Sequence, residues 1–232
     1  MLAGLTASAF LGSSSAAAAE SVQTYVEIKT WRMHNSREDQ PARVADYLEG
    51  GLSPALARAG VKLAGAFSNL IGPDGPYYVT LTQFASLGEM QNVVTKLSSD
   101  AAHRRAFQKL DSGSGLPFVR VESSLLKSFA GMPFVSIPES SETHSPRVFE
   151  LRRYESQTFV TLARKVAMFN EGEMGIFQRL GMCPVFFGET IVGPNQPNLM
   201  YMLSYDDLAA RDRLWRDFGN DPEWKKRAAV RN

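Results

Sequence analysis

The chain alternates between two hydrophobic patterns. In some stretches apolar and polar residues alternate, which predicts strands, and in others apolar residues recur every three or four positions, which predicts helices. The first half is predicted to hold a strand over 24–32, a helix over 41–59, strands over 61–71 and 77–84, a second helix and a strand over 116–127. Gly60 ends the first helix, and the capping box Ser86-Leu87-Gly88-Glu89 begins the second.

The second half follows the same order. A strand is predicted over 147–154, then a helix, a hairpin around Gly193-Pro194-Asn195 and a helix that begins near Asp207. The first of these helices has apolar residues at helical spacing, namely Phe159, Leu162, Val166 and Phe169.

Short segments recur 121 positions apart and indicate an internal repeat. Gly60 corresponds to Gly181 in this way, and Asp100 corresponds to Asp221. The tripeptide Ile71-Gly72-Pro73 likewise corresponds to Val192-Gly193-Pro194. Such a repeat predicts two copies of one structural unit.

The order β-α-β-β-α-β is typical of the ferredoxin-like arrangement. We therefore predict an α+β fold with two tandem ferredoxin-like modules, 22–128 and 147–232. The stretch 129–146 contains prolines and no periodic pattern, which predicts a linker. By the 121-residue offset, the second module is expected to lack its last strand.

The beginning of the chain differs in composition from the rest. Residues 1–19 contain no charged residue, and Ala17-Ala18-Ala19 fits a signal-peptidase site. The apolar run is too short for a membrane span. We expect a truncated signal-peptide-like segment in a protein that is exported to the periplasm or secreted. The alternative is an Ala/Ser-rich tail without a targeting role.

The second half resembles the NIPSNAP family in three motifs. Phe149-Glu150-Leu151-Arg152-Arg153-Tyr154 is similar to the opening strand, Gly188-Glu189-Thr190 with Gly193 to the hairpin, and Asp221-Pro222-Glu223-Trp224-Lys225 to the closing motif. The first half is a degenerate version, because His103 stands where the closing motif has tryptophan. The resemblance implies the dimeric α/β-barrel fold, built here from two linked copies. Relatives with this fold include cofactor-independent monooxygenases and haem-handling enzymes, but a shared fold does not carry function.

Composition excludes several classes of function. The 25 Lys and Arg residues balance 24 Asp and Glu residues, and a net charge of +1 argues against nucleic acid as a partner. The one cysteine, Cys183, excludes an internal disulfide and is expected to be a buried, inert thiol. The histidines lack metal-ligand spacing, and no GxSxG, Walker A or GxGxxG motif is present, so we expect no metal and no cofactor. We expect no integral membrane segment.

The best candidate site is an acidic, basic and aromatic pattern that occurs in both copies. Side chains on a strand alternate between its two faces. If Val26, Ile28 and Thr30 face the helices, the barrel-lining face holds Glu27, Lys29 and Trp31, and in the second copy Glu150, Arg152 and Tyr154. Two interpretations are open. The residues orient a small ligand under an aromatic ring, or they form structural ion pairs.

The histidines add one further candidate. His34 follows the first strand in a polar stretch, where it is either an exposed loop residue or, at the barrel mouth, a haem ligand or general base. His103 is expected to pack where Trp224 packs in the second copy, and His144 is expected to lie in the linker.

These observations are compatible with three functions. We predict a non-catalytic module that binds a small apolar or aromatic ligand or another protein. One alternative is a cofactor-independent or haem-associated monooxygenase-like oxidoreductase. The other is a structural module that forms homo-oligomers.

Overall fold

The computed structural model describes residues 22–138 and 147–229. The predicted signal-like segment 1–19 and His144 therefore lie outside the described residues. The first part of the chain contains β1 (Tyr25–Arg32), α1 (Gln40–Tyr47), a π-helical turn (Leu48–Leu52), α2 (Ser53–Ala59), β2 (Leu63–Ser68), β3 (Tyr77–Phe84), α3 (Leu87–Ser99), α4 (Ala101–Asp111) and β4 (Arg120–Ser128). The second part contains β5 (Val148–Glu155), α5 (Phe159–Met168), a second π-helical turn (Phe169–Glu173), α6 (Met174–Arg179), β6 (Cys183–Val192), β7 (Asn198–Tyr205), α7 (Leu208–Asn220) and α8 (Pro222–Ala229).

The seven strands form one antiparallel sheet in the order β2-β3-β1-β4-β6-β7-β5. The two parts of the chain meet where β4 pairs with β6, with Ser128 opposite Gly188. Gly188 suits this position because a Cβ atom there would lie 2.7 Å from the Cβ of Leu126. The fold is a mixed α+β structure with a single sheet that curls.

Three apolar cores show how the layers are arranged. One core packs α1 to α4 against β1 and β3, and a second packs α5 to α7 against β6 and β7. The third core contains no helical residue and draws side chains from all seven strands. Because β2 and β5 are the two edges of the sheet and still share this core, the sheet must curl around it. The helices therefore cover the outer face, and the third core fills the inner face.

The helix predicted over 41–59 is interrupted in the structure. A π-helical turn separates α1 from α2. Two local features explain it: the glycine pair 50–51 favours an irregular backbone, and Pro54 has no N–H to donate to the carbonyl of Gly50. The second π-helical turn lies 121 residues further on and includes Gly172 with non-helical dihedral angles.

The predicted helix starts are confirmed. Ser86 Oγ accepts a hydrogen bond from the backbone N of Glu89 at 3.0 Å, and Asp207 Oδ1 accepts one from the backbone N of Ala210 at 2.6 Å. Two strands are shorter than predicted, because β2 ends at Ser68 and β4 begins only at Arg120.

The described part of the predicted linker is packed rather than extended into solvent. Phe129 is only 2% exposed, and its ring stacks on Phe187 with centroids 5.9 Å apart. Further along, the backbone N of Val135 donates to Gln83 Oε1 at 3.1 Å, and that of Ser136 donates to the carbonyl of Val185 at 2.9 Å. The apolar side chains and these backbone hydrogen bonds hold the segment 129–138 against both parts of the sheet.

Two ion pairs at equivalent positions, 121 residues apart, link the ends of neighbouring helices. Arg58 contacts Asp100 at 2.7 Å, and Arg179 contacts Asp221 at 2.9 Å. Asp100 caps α4 by accepting hydrogen bonds from the backbone N of residues 102 and 103, and Asp221 accepts one from the backbone N of Trp224. Hydrogen bonds from Arg58 and the backbone lower the pKa of Asp100 to about 2, and Arg179 lowers the pKa of Asp221 in the same way.

These lowered pKa values predict a specific loss of stability in acid. A carboxylate with a lowered pKa stabilises the folded state fully above its unfolded pKa, and this stabilisation disappears as the pH falls through the folded pKa. We expect Asp100→Asn and Asp221→Asn each to lower the melting temperature at pH 7 and to reduce its decrease between about pH 4 and pH 2. Thermal unfolding followed by circular dichroism at several pH values measures this. Asp46→Asn is the control, because Asp46 is exposed and lies 3.9 Å from Lys109. An unchanged acid profile in both cap variants would contradict the prediction.

Candidate ligand-binding site

The inner face of the sheet is lined by apolar side chains. It includes Val26 and Ile28 from β1, Leu81 from β3, and Met200 and Met202 from β7, all 4% exposed or less. The other buried residues of this face are Val79 from β3, Leu126 from β4, and Val185 and Phe186 from β6. Methionine side chains are flexible and adapt to irregular shapes, so this core can rearrange around a guest more easily than one of branched residues alone.

One end of this interior is closed by the segment 129–138. Gln83 Nε2 donates hydrogen bonds to Thr24 Oγ1 at 2.8 Å and to the carbonyl of Pro133 at 2.9 Å. The Thr24 hydroxyl also donates to the Pro133 carbonyl, and Val135 packs onto the inner core. The segment 129–138 therefore covers this end of the interior.

The sheet edges approach each other through side chains. Phe67 of β2 and Phe149 of β5 have ring centroids 4.6 Å apart. The strand pairings of the described sheet do not join β2 to β5. The side of the interior is therefore closed here by two half-buried rings, and rotation of these rings would break no backbone hydrogen bond.

The predicted orientation of the polar candidates is reversed in the structure. Val26, Ile28 and Leu151 point into the interior, whereas Trp31 belongs to the helix-facing core and is 5% exposed. The prediction was wrong because both faces of these strands are buried, so alternation alone does not tell which face meets the helices. The helix layer has room for the large ring of Trp31, whose centroid lies 5.7 Å from that of the Tyr47 ring.

Glu150 is the centre of a polar cluster on this outer face. Its Oε1 accepts hydrogen bonds from Arg211 at 2.6 Å and Arg152 at 3.2 Å, and its Oε2 accepts from Trp215 Nε1 at 2.7 Å and the Tyr205 hydroxyl at 3.2 Å. The Arg152 guanidinium also lies 4.2 Å from the Trp215 ring centroid. Four donors occupy the acceptor positions of the carboxylate, so Glu150 has no vacant position to act as a base.

The protonation states in this cluster support a structural role. Burial opposes ionisation of Glu150, but the hydrogen bonds from Arg211 and Trp215 outweigh it and hold the pKa of Glu150 below its usual value. Burial, together with the Glu150 charge, raises the pKa of Tyr205 well above its usual value. Burial likewise raises the pKa of Tyr201, whose hydroxyl donates to the Tyr154 hydroxyl at 2.8 Å. Both tyrosines therefore remain neutral hydrogen-bond donors.

The equivalent residues of the first part form a smaller cluster. Glu27 is 9% exposed, pairs with Lys29 Nζ at 3.0 Å and accepts a hydrogen bond from the Ser123 hydroxyl at 3.2 Å. Trp31 donates to the Thr80 hydroxyl at 3.4 Å instead of reaching Glu27. The structure therefore does not bring the two acidic, basic and aromatic sets together on one surface.

The remaining sequence candidates lie apart from the interior. The His34 side chain is 53% exposed, and its Nε2 is 3.5 Å from Glu38 Oε2. His103 Nδ1 contacts the carbonyl of Leu97 at 3.0 Å. In the second half, Trp224 packs against Phe218, the residue 121 positions after Leu97, with ring centroids 4.5 Å apart. Cys183 is half-buried rather than buried. Within 22–138 and 147–229, no group of His, Cys, Asp or Glu side chains is placed to hold a metal ion.

The sequence patterns did not indicate the residues of β7 and α7 that donate hydrogen bonds to Glu150. Arg211 and Trp215 are one helical turn apart, so they lie on one face of α7. The pairing of an arginine and a tryptophan at this spacing is the one signal that could have indicated a buried acidic partner. In the part of the chain that the structure describes, no helix is long and apolar enough to cross a membrane.

A curled antiparallel sheet with helices on its outer face and an apolar interior defines a mixed α+β, barrel-like protein. Residues 149–232 match the NIPSNAP family model, which agrees with the resemblance of the motifs in this part of the chain. A NIPSNAP family protein of unknown function from Agrobacterium tumefaciens is 23% identical over 45% of this chain and 86% of its own, with a TM-score of 0.37. No curated protein matches the chain.

Two solved structures share the fold over most of the chain. A candidate monooxygenase from Lactobacillus acidophilus is 11% identical and has a TM-score of 0.57, and the match covers 88% of this chain and 85% of that protein. A candidate monooxygenase from Fusobacterium nucleatum is 10% identical and has a TM-score of 0.55, covering 88% of this chain and 83% of its own. At these identities the similarity establishes the fold alone.

Proposed function

We propose that the protein is a non-catalytic binding protein whose curled sheet encloses a small apolar or aromatic molecule. The observation that carries this proposal is the inner core, which is apolar, draws on every strand and contains two adaptable methionines. An apolar core that opens around a guest binds it by burying apolar surface of the ligand. The polar cluster around Glu150 supports the same conclusion, because its groups are already paired with one another and hold the helix layer in place.

The route of entry follows from the sheet edges. Phe67 and Phe149 close the side of the interior through ring contact, and neither ring is fully buried. Side-chain rotation is fast, whereas separating paired strands requires breaking several hydrogen bonds together. A ligand that enters between β2 and β5 therefore leaves the sheet intact.

Fluorescence titration with the apolar probe 1-aminoanthracene tests the proposal. We expect saturable binding to the wild type, and loss of binding in Met202→Trp, because the larger ring fills the interior. Val160→Trp is the matched control, since Val160 is 61% exposed on α5. Phe149→Ala is expected to speed association of the probe, because it opens the gap between β2 and β5. This variant provides an independent test if Met202→Trp does not fold. Absence of saturable binding to both the wild type and Phe149→Ala would refute the proposal.

The fold supports a second candidate, a cofactor-independent or haem-associated monooxygenase-like oxidoreductase. Its support is the similarity to two candidate monooxygenases over most of the chain, together with the accessible imidazole of His34. A haem titration distinguishes the two functions. A shift of the Soret band that His34→Ala abolishes would favour the oxidoreductase, and an unchanged band in the wild type would remove its haem-associated form.

We further propose that the chain consists of two tandem ferredoxin-like modules, 22–128 and 147–232, which are arranged as in a dimeric α/β barrel. Equivalent features 121 residues apart support it. Gly60 and Gly181 both have positive φ, at 100° and 83°, and so do Asp74 and Asn195, at 56° and 61°. Export to the periplasm or beyond the cell is proposed from residues 1–19 alone. Homo-oligomerisation through the edge strands is a further alternative, which sedimentation velocity tests.

A further inference from the structure

The two edge strands of the sheet, β2 and β5, lie on either side of a gap, which we call the seam. Their backbones are not paired with each other in the described sheet, and the strands approach through the rings of Phe67 and Phe149. The unpaired edge of a strand presents N–H and C=O groups that can pair with a further strand. Because both sides of the seam are such edges, one inserted strand can form hydrogen bonds on both sides.

The strands beside the seam correspond in register to the strands beside β4. Tyr25 of β1 lies opposite Phe84 of β3. Val148 of β5, 123 residues further on, lies opposite Tyr205 of β7, which is 121 residues after Phe84. The pairs of β2 with β3 likewise recur between β6 and β7, and both hairpins have a bulge at the same place. Since β4 pairs with β1 and β6, a strand in the seam would pair in the same way with β5 and β2.

Apolar residues along the seam are more exposed than their equivalents beside β4. Val26 and Ile28 of β1 are 1% and 3% exposed. Phe149 and Leu151 stand at the same positions of β5 and are only half-buried. A strand laid between β5 and β2 would bury this apolar surface, and the burial favours its binding.

Two charged residues near the end of β5 indicate the chemistry of the inserted strand. Arg153 is exposed and takes part in no ion pair within the part of the chain that the structure describes, and Glu155 is exposed and accepts a hydrogen bond from Asn195. In the register of β4, Glu122 would lie opposite Arg153. Arg120 would lie opposite Glu155. Opposite charges on facing residues stabilise strand pairing, so the charge pattern of β4 complements this edge.

The inner face of the seam limits the size of one residue of the inserted strand. Phe67 stands where β6 has Gly188, and its ring centroid is 4.6 Å from that of Phe149. In the register of β4, Leu126 would lie opposite Phe149 and meet both rings. The inserted strand therefore needs a small residue, such as alanine, at this place.

We propose that the seam binds an extended peptide segment of another protein as an eighth strand, in the register of β4. The segment has a small residue opposite Phe149, an acidic residue opposite Arg153 and a basic residue opposite Glu155, and its backbone forms hydrogen bonds with both edges. A strand that is paired on both sides must be a single extended segment. The edge strand of a second folded copy does not fit, because it remains attached to its own sheet. The proposal concerns the edges of the sheet and does not rest on ligand binding in the interior.

Fluorescence anisotropy with a labelled synthetic peptide tests this site in the full chain. The peptide has the sequence of β4, Arg120–Ser128, with alanine in place of Leu126. We expect saturable binding, and we expect none when proline also replaces Ser124, because proline in the middle of a strand removes a hydrogen-bond donor. Amide hydrogen exchange locates the peptide, since its binding should slow exchange in β2 and β5.

Reversing the charges of one pair tests the register. A peptide with Glu122→Lys is expected to bind about fivefold more weakly, because its lysine lies opposite Arg153. Arg153→Glu in the protein should weaken the original peptide by a similar factor and restore binding of the Glu122→Lys peptide. Arg164→Glu is the matched control, because Arg164 is an exposed arginine of α5 and its reversal changes the net charge equally. This variant should bind the original peptide like the wild type.

Four results would overturn the proposal. The first is the absence of saturable binding, and the second is equal binding of the proline-containing peptide. The third is slowed exchange outside β2 and β5, or the lack of restored binding when both charges are reversed. The fourth is a dimer in sedimentation velocity that Arg153→Glu dissociates, which would show that a second copy of the chain occupies the seam.

Discussion

Replacing Glu150 by alanine is expected to destabilise the protein by about 3 kcal/mol, because four donors lose their acceptor at once. Two of these donors, the indole of Trp215 and the hydroxyl of Tyr205, are buried enough that solvent replaces the carboxylate only partly. For a chain of this length the change corresponds to a melting temperature lower by about 6–12 °C. Chemical denaturation and thermal unfolding measure both quantities.

The first half provides a matched control. Glu27→Ala removes a carboxylate that pairs with Lys29 and Ser123 only, and we expect it to cost about 1 kcal/mol. Equal losses in the two variants would show that the hydrogen bonds from Trp215 and Tyr205 add nothing to stability, contrary to the prediction.

Glu150→Gln separates the charge of Glu150 from its size. Because the folded pKa of Glu150 is lowered, its charge stabilises the protein fully above the unfolded pKa, near 4.5. This stabilisation is lost as the pH falls through the lower folded pKa. We therefore expect the difference in stability between wild type and Glu150→Gln to be largest at neutral pH and to shrink in acid.

Replacing Gly188 by alanine is expected to destabilise the protein by about 2 kcal/mol, because β4 and β6 approach too closely for another methyl group. The new Cβ would lie 2.7 Å from the Cβ of Leu126 and 3.3 Å from the carbonyl oxygen of Lys127. Neither neighbour is the flexible end of a side chain, so the strands must move apart. The free energy of unfolding in urea measures the cost.

Gly175→Ala is the control for this substitution. Gly175 lies in α6, and a Cβ atom there would meet nothing within 4 Å. Because alanine favours helix over glycine, we expect Gly175→Ala to be neutral or to stabilise by up to about 1 kcal/mol. A Gly188→Ala variant as stable as the wild type would mean that the β4–β6 junction is wider than the structure has it.

The hairpins and helix caps were predictable because each depends on residues close in sequence. The capping box of Ser86 with Glu89 and the left-handed glycines at 60 and 181 are set by local hydrogen bonds and backbone freedom. The π-helical turns were not predicted, although Gly50, Gly51 and Pro54 were visible, because the same residues also fit an ordinary kink or a helix end.

The candidate site was predicted less well than the fold. The residues Glu150, Arg152 and Tyr154 do form a cluster, but on the helix-facing side of the sheet. The cluster is completed by Arg211 and Trp215, about 60 residues further on. Neither segment contains a local sequence signal that indicates a contact with the other. The apolar interior was also missed, because its residues come from all seven strands and have no common spacing.

The sequence by itself determined the α and β elements, the correspondence between features 121 residues apart and the NIPSNAP motifs of the second half. These properties follow from short-range backbone preferences and from residue order. Only the tertiary structure decided which face of each strand meets the helices and that β4 joins β6 in one continuous sheet. Such features depend on the space left between distant elements, and the alternation of residues along a strand carries no information about that space.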